Sequence, residues 1–521
     1  MEDMESKNRD VRMIASGRIS GTAGRLTKAA IIAVLVSLSV GLKAQTPGNS
    51  GPPTTTDELP VAVQAQQQLA QPGPPVNPVS TASPSGVDQS FKGSIIEGKA
   101  TDGVLPLGLD DAIQRGLRTN LGLVLESANA RGQGGQRLVA LQDLLPKVTG
   151  TASITVQQID LAAYGLKFPG ISPIVGPFQV IDFRAYLTDN LVNLESFQKY
   201  LAARHNFESA KLSAQDARDL VVLTVGNQYL LCVADKARIA AVEAEIVSSK
   251  VSLDQATDAH EAGTSPRLDV LRAQVDYQSE QQTLIAAQNS LEKDKLALAR
   301  AIGLPLDQKF EVTDTAPFQE LNTPDPNAAF QQALKQRKDL AAAVENTKVA
   351  EAQKKAAFDD QLPTAKITGN FGDLGETVNH SHGTYTAEGE IDAPILQIAK
   401  TKGNNEVAAA ALTQAQAKQS DQVQQVNADV RDAILDIQTA AKLVDAAKSN
   451  VELAREALSE AQERFKAGVA DDLPVSQALA TDRQAEDQYI GALYQHNIAK
   501  LSLARALGVA STNYKDYLGG K

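Results

Sequence analysis

A stretch of 42 residues, Gly263 to Leu304, recurs 205 residues later as Gly468 to Val509, with 13 identities and no gap. Leu268, Val270 and Ala273 return as Leu473, Val475 and Ala478. The run Leu298-Ala299-Arg300-Ala301-Ile302-Gly303 returns as Leu503-Ala504-Arg505-Ala506-Leu507-Gly508. A self-match of this length marks a tandem duplication, and any fold must therefore be built from one supersecondary unit used twice. The repeat extends upstream, where Ala112, Gln114, Leu117 and Leu145-Pro146 recur as Ala329, Gln331, Leu334 and Leu362-Pro363.

Each copy carries a strand pair. Val148, Ala152, Ile154 and Val156 alternate with Thr149, Thr151, Ser153, Thr155 and Gln157, the period of two that gives a strand one apolar and one polar face. After a Pro/Gly-rich stretch from Lys167 to Pro177, Ile181, Phe183, Ala185 and Leu187 face one way, with Asp182, Arg184 and Tyr186 opposite. The second copy repeats this with Ile367, Gly369 and Phe371. A polar loop from Asp373 to Gly383 follows, then Tyr385, Ala387, Gly389 and Ile391 alternate with Thr384, Thr386, Glu388 and Glu390. The pairs span about 148–188 and 366–392.

A very long helix follows each pair. No proline lies between Pro177 and Pro266 or between Pro394 and Pro474. Val426, Val430, Ile434, Ile437, Ala441, Val444, Ala447, Val451, Ala454, Leu458, Ala461 and Phe465 form one stripe with a mean step of about 3.5 residues, the coiled-coil repeat. A helix from Leu194 to Ala262 is on the order of 100 Å long. The glycines at Ala262-Gly263 and Ala467-Gly468 end these helices, and a return helix completes each hairpin (about 194–303 and 396–508). The absence of tryptophan and the low aromatic content of 4% favour close packing of long helices over one large globular core. The fold class expected is mainly α with a small β part.

The remaining segments are read from composition. Residues 1–44 resemble a secretory signal, with Arg12, Arg18, Arg25 and Lys28 before the apolar run Ala29 to Leu42, and a cut after Ala44. Residues 45–104, rich in Pro, Gly, Ser, Thr and Gln, form a flexible leader that buries too little apolar surface to offset the entropy of ordering. The repeats span 105–310 and 311–510, and 511–521 form a C-terminal tail. A net charge of −12 without a basic patch argues against nucleic acid. Apart from the first 44 residues, no stretch approaches the 18 apolar residues of a membrane-spanning helix, so entry into a membrane has to be by strands.

Four amphipathic strands cannot close a barrel, and open edges are not tolerated in lipid. Several chains must pool them. With apolar faces outward, Asp182, Arg184, Glu388 and Glu390 line a wet interior. The other arrangement places the apolar faces inward, as the cap of a soluble helical bundle.

Little chemistry competes with this. His380 and His382 form His-Ser-His in a polar loop without further ligands, so no metal is expected. Gly132-Gln133-Gly134-Gly135 follows no strand and reads as a flexible or kinked helix, not a phosphate cradle. Cys232 falls on the apolar stripe as inert core. Glu243, Glu245, Asp254 and Asp258 read as a solvated helix face. No cofactor and no enzymatic activity are expected.

The paired hairpin ends Ala262-Gly263-x-x-x-x-Leu268-Asp269-Val270-Leu271 and Ala467-Gly468-x-x-x-x-Leu473-x-Val475, the paired Leu-Ala-Arg-Ala-Ile/Leu-Gly ends, and Leu-Pro before each first strand carry a resemblance to TolC-type outer-membrane efflux proteins, from about Leu105 to Val509. That resemblance implies a homotrimer whose twelve pooled strands form a β-barrel in outer-membrane lipid, continuous with a helical barrel crossing the periplasm. It implies a passive exit duct for efflux or type I secretion, a periplasmic membrane-fusion adaptor, and an inner-membrane pump of RND, ABC or MFS type. The adaptor is expected on the tips Gly263, Thr264, Ser265, Pro266 and Arg267 and Gly468, Val469 and Ala470. In that family acidic residues just after the turn help close the periplasmic mouth. Asp269 matches by position, whereas Pro474 and Gln477 stand where the second copy would carry acids, and Asp471 and Asp472 lie earlier. The expectation is a displaced ring in which Asp269, Asp471 and Asp472 line the constriction; solvated turn acids without a gating part are the alternative. The second reading of the whole chain is a periplasmic structural or adhesive coiled-coil protein without a channel.

Overall fold

The computed structural model describes residues 89–315 and 318–518. The first repeat comprises β1 (Leu105–Leu107), α1 (Leu109–Thr119), α2 (Leu121–Gln142), β2 (Lys147–Asp160), β3 (Ile174–Val192), α3 (Leu194–Glu261) and α4 (Arg267–Ile302). The second comprises β4 (Phe310–Val312), α5 (Pro326–Gln336), α6 (Lys338–Asp359), β5 (Thr364–Gly375), β6 (Ser381–Asp392), α7 (Ile398–Lys466) and α8 (Leu473–Ala506). The short α9 (Ala510–Leu518) follows. No helix among the described residues is long and apolar enough to cross a membrane.

The two copies share their punctuation. Gly263 and Gly468 end α3 and α7 at φ +77° and +71°, with nothing within 4 Å of where a Cβ would stand. Gly303 and Gly508 follow α4 and α8 at φ +71° and +74°, but here there is no room. A Cβ on Gly303 would lie 2.6 Å from the Ile95 carbonyl oxygen, and one on Gly508 2.8 Å from the Arg337 backbone nitrogen. Each glycine thus packs where a short helix hands over to the next: Asn120 between α1 and α2, Arg337 between α5 and α6. Both linking residues are buried. Asn120 caps α2 through Gly122 N–H and donates to the Phe91 carbonyl at 2.7 Å, while Arg337 is held by Asp339 and Asp429, each at 2.6 Å.

The main core sits where these handovers meet the ends of the return helices. Tyr229, Val221, Ile113, Ile302, Leu501 and Leu503 are fully or almost fully buried there. Parallel pairing of β1 with β4, Leu105 opposite Phe310 through Leu107 opposite Val312, ties the start of one repeat to the start of the other. Tyr229 donates its hydroxyl to the Asp314 carboxylate at 2.8 Å beside that joint. Along α7, ten of the twelve predicted stripe residues are buried, with Ala441 and Ala461 half-buried. Cys232 is fully buried, and burial pushes its thiol up to about 12.

Several boundaries differ from the sequence reading. Gly132-Gln133-Gly134-Gly135 continues α2 without interruption, because Gly134 packs close to the Phe207 ring, 3.2 Å from where its Cβ would be. Strand β3 begins at Ile174, inside the Pro/Gly-rich stretch, and the register against β2 shifts between Gln157 and Ile159 opposite it. The polar loop of the second pair shrinks to residues 376–380, since ladder hydrogen bonds need no apolar side chain and β5 and β6 pair out to Gly375 and Ser381. Residues 1–88, including the expected signal, lie outside the described residues. The last part of the expected flexible leader is not loose: Phe91 is buried against Gly122, and Ile95 and Glu97 donate backbone N–H groups to Thr119 and Gly303 at 2.8 and 3.0 Å. A composition average over a proline-rich window hides such a short docking segment. The expected tail includes α9, anchored by buried Tyr514.

Candidate functional site: the sheet faces and the hairpin tips

The two strand pairs join into one antiparallel sheet in the order β2-β3-β5-β6. Its register sorts the side chains without exception at the predicted positions. Arg184 stands opposite Thr151 and Gly372, Asp182 opposite Ser153, Glu388 opposite Thr368 and Glu390 opposite Lys366. Because side chains alternate along a strand, Asp182, Arg184, Glu388 and Glu390 all lie on one face. That face is internally paired. Arg184 donates to Asp182 at 3.1 Å and to the Thr384 hydroxyl at 3.0 Å, and Lys366 meets Glu390 at 2.9 Å.

The opposite face carries Val148, Ile154, Val156, Phe371, Tyr385 and Ile391, each 67–80% exposed. Six large apolar side chains held in water on one flat surface would be costly, at roughly 25 cal/mol per Å² of apolar area. Among the described residues of the protomer, the outer strands β2 and β6 each have one unpaired edge. Both features call for lipid on the face and further strands at the edges.

At the other end, the two hairpin tips pack on one another. Phe465, Leu458, Val475 and Leu479 of the second hairpin close over Ala256 and Ala273 of the first. In the first turn Thr264 and Ser265 return their N–H groups to the Ala259 carbonyl at 2.9 and 3.2 Å, and Pro266 precedes α4. In the second, Val469 N–H returns to Arg464 at 3.1 Å. Gly263, Thr264, Pro266, Arg267, Gly468 and Val469 are exposed; Ser265 and Ala470 are half-buried.

The tip acids are not disposed as expected. Asp269 and Asp472 are only 2% and 1% exposed in the protomer, and only Asp471 presents an open carboxylate. The reason is the contact between hairpins, which traps both acids. Asp269 accepts from the Ser265 hydroxyl at 2.6 Å and lies 3.5 Å from Arg272. Asp472 has one oxygen with no hydrogen-bond partner among the described residues. Burial, then Asp276 and Asp269, push its carboxyl up to about 6. A third buried acid lies on α3. Glu243, Asp254 and Asp258 are exposed, but Glu245 is 6% exposed, facing Glu280. Its place on the same helical row as buried Val242, Ser249 and Ser252 was the available signal.

Comparison with known proteins now fits this geometry. The family described as outer membrane efflux protein matches residues 127–304 and 329–509, one segment in each repeat. The chain is 23% identical over 470 residues to the probable efflux pump outer membrane protein TtgC of Pseudomonas putida, covering 88% of this chain and 91% of that protein. It is 23% identical over 310 residues to the pyoverdine export outer membrane protein OpmQ of the same species, covering 59% and 66%. The solved structure of the outer membrane protein VceC from Vibrio cholerae superposes with a TM-score of 0.68 at 18% identity over 77% of this chain and 96% of that one. The Campylobacter jejuni CmeC outer membrane channel gives 0.69 at 17% identity over 83% and 95%. The matched segments cover more than half of the sequence, one in each copy of the repeat, so the chain belongs to the outer membrane efflux protein family, whose members are channels of efflux systems set in the outer membrane and extending into the periplasm.

Proposed function

We propose that three copies of this chain assemble into a passive exit duct, each contributing its four-stranded sheet to a closed barrel of about twelve strands. The observation that carries this is the sheet: an apolar face 67–80% exposed at its large residues, a polar face holding Asp182, Arg184, Glu388 and Glu390, and an unpaired edge on both outer strands. Edge pairing of β6 with β2 of the next copy removes every open edge, turns the apolar face to lipid and leaves the polar face lining water. The exposed turns at Gly263 and Gly468 then point into the periplasm as the docking ends for an adaptor, which connects the duct to an inner-membrane pump of RND, ABC or MFS type. Of the three tip acids, Asp471 supplies the exposed carboxylate at the mouth, while Asp269 and Asp472 act inside the protomer.

The test is direct. The chain expressed with its native leader should fractionate as a sarkosyl-insoluble trimer that migrates faster before boiling, and should conduct ions in a planar bilayer. A monomer soluble without detergent would remove the duct reading and favour a periplasmic coiled-coil protein. Asp471→Asn should change single-channel conductance, and Asp269→Asn should leave it nearly unchanged.

A further inference from the structure

We propose that the contact between the two hairpins is a proton-operated latch: Glu245 of α3 holds one proton against Glu280 of α4, Glu280 holds Arg483 of α8, and loss of the proton loosens the first hairpin from the second.

The geometry is that of an over-filled acid site. Glu245 and Glu280 are 6% and 8% exposed. Glu280 accepts from Arg483 Nη1 at 2.7 Å, which satisfies one carboxyl oxygen. The Oε2 atoms of both Glu245 and Glu280 are buried with no hydrogen-bond partner among the described residues. One proton held between two neighbouring carboxyl groups satisfies both of their donorless oxygens. The neighbouring charges do not relieve the crowding. From α8, Asp482 is also buried with a partnerless oxygen, and Glu486 beyond it is already paired with Arg455 of α7. Arg483 therefore serves Glu245 and Glu280, while Asp482 shares Arg455 with Glu486. Burial, then the charge of Glu280, push Glu245 up to about 8.

The same construction occurs one level further from the tip. Asp235 of α3 is 3% exposed and faces Asp294 of α4, while Arg238 reaches both Asp235 at 3.0 Å and Asp487 of α8 at 2.6 Å. Burial and Asp294 push Asp235 up to about 7. The second hairpin shows that such pairs are not a requirement of the fold. Glu280 corresponds in the repeat to Ala485, which packs in a dry cluster with Val451 and Ala454. An acid raised in the packed state makes its contribution fully at low pH and loses it as pH climbs through the raised value. The latch is therefore closed below neutrality and released in mild alkali. Its consequence, a duct tighter in acid than in alkali, rests on the channel reading above.

The test is hydrogen exchange of the full chain in detergent at pH 6.5 and 9.0, corrected for intrinsic rates and read on peptides containing Glu280 and Arg483. Protection in the wild type should fall on the order of tenfold at the higher pH, the ceiling for one proton being about tenfold per unit. Glu245→Gln, which imitates the neutral acid, should abolish the change; if that variant does not fold, Glu280→Gln should do the same. Arg483→Gln should lower protection at both pH values. Equal protection of the wild type at both pH values, or an undiminished change in the glutamine variant, overturns the latch. Conductance measured on the same material separates the two readings, since a pH-dependent exchange in a chain that conducts nothing sustains the latch and sinks the channel instead.

Discussion

The two hairpins began as copies of one unit, and they agree wherever the backbone must turn but not in what they bury. Both use glycine at the tip and again at the far end of the return helix, at φ values within a few degrees of each other. Between those points the second hairpin has a dry stretch, with Val444, Ala447, Val451, Ala454, Ala485 and Ala492, and its buried polar groups Asp482, His496 and Lys500 stand outside it. The first buries Asp235, Glu245, Asp269 and Glu280 against the other hairpin. Lys295 and Lys500, identical in the alignment of the copies, make the same point. Lys295 pairs with Glu292 at 2.9 Å, whereas Lys500 is 1% exposed with its ammonium lowered by burial to about 8. Duplication held on to the residues that set the path of the chain and released the interior to diverge.

The sharpest test of that division is at the glycines. Gly303→Ala and Gly508→Ala meet both a left-handed backbone and occupied space, and each should cost roughly 3–5 kcal/mol in chemical unfolding, the sum of αL strain and overpacking. A loss below about 1 kcal/mol would mean that the handover joints are loose and the comparison fails there. Next in size is the sheet. Ile154→Arg on the apolar face should disfavour membrane insertion by about 2–4 kcal/mol, whereas Thr155→Arg on the polar face should be tolerated; equal recovery of both in outer-membrane fractions would reverse the assignment of faces.

The buried tip acid gives a smaller effect of opposite sign. Asp472 is raised from 3.8 to about 6 in the folded chain, so its contribution is complete below its ordinary value and lost as pH rises through about 6. Asp472→Asn should raise the unfolding free energy at pH 7.5 by roughly 1–2 kcal/mol, and leave it unchanged near pH 4, as read by chemical denaturation. Smallest of all, Gly263→Ala and Gly468→Ala pay only the backbone strain, about 1 kcal/mol each, because no atom lies within 4 Å of the new methyl group. Their melting curves beside those of Gly303→Ala and Gly508→Ala separate strain from crowding.

What the amino-acid order determined by itself was everything that periodicity and punctuation encode: the duplication, the four strands and their two faces, the long helices with their 3.5-residue stripe, and the turns at Gly263 and Gly468. These are local properties, since alternation fixes which side a residue takes whatever the neighbouring strand happens to be. Tertiary structure alone decided which polar residues are trapped. Glu245 and Glu243 are both helix acids two residues apart, and only the arrival of α4 and α8 buries one and leaves the other in water. The same holds for Asp472 beside Asp471, and for Phe91, whose buried ring lies in a segment that composition marked as loose. Burial depends on what lies across a contact from distant parts of the chain; the helical row that Glu245 shares with Val242 marks a face, and not what will cover it.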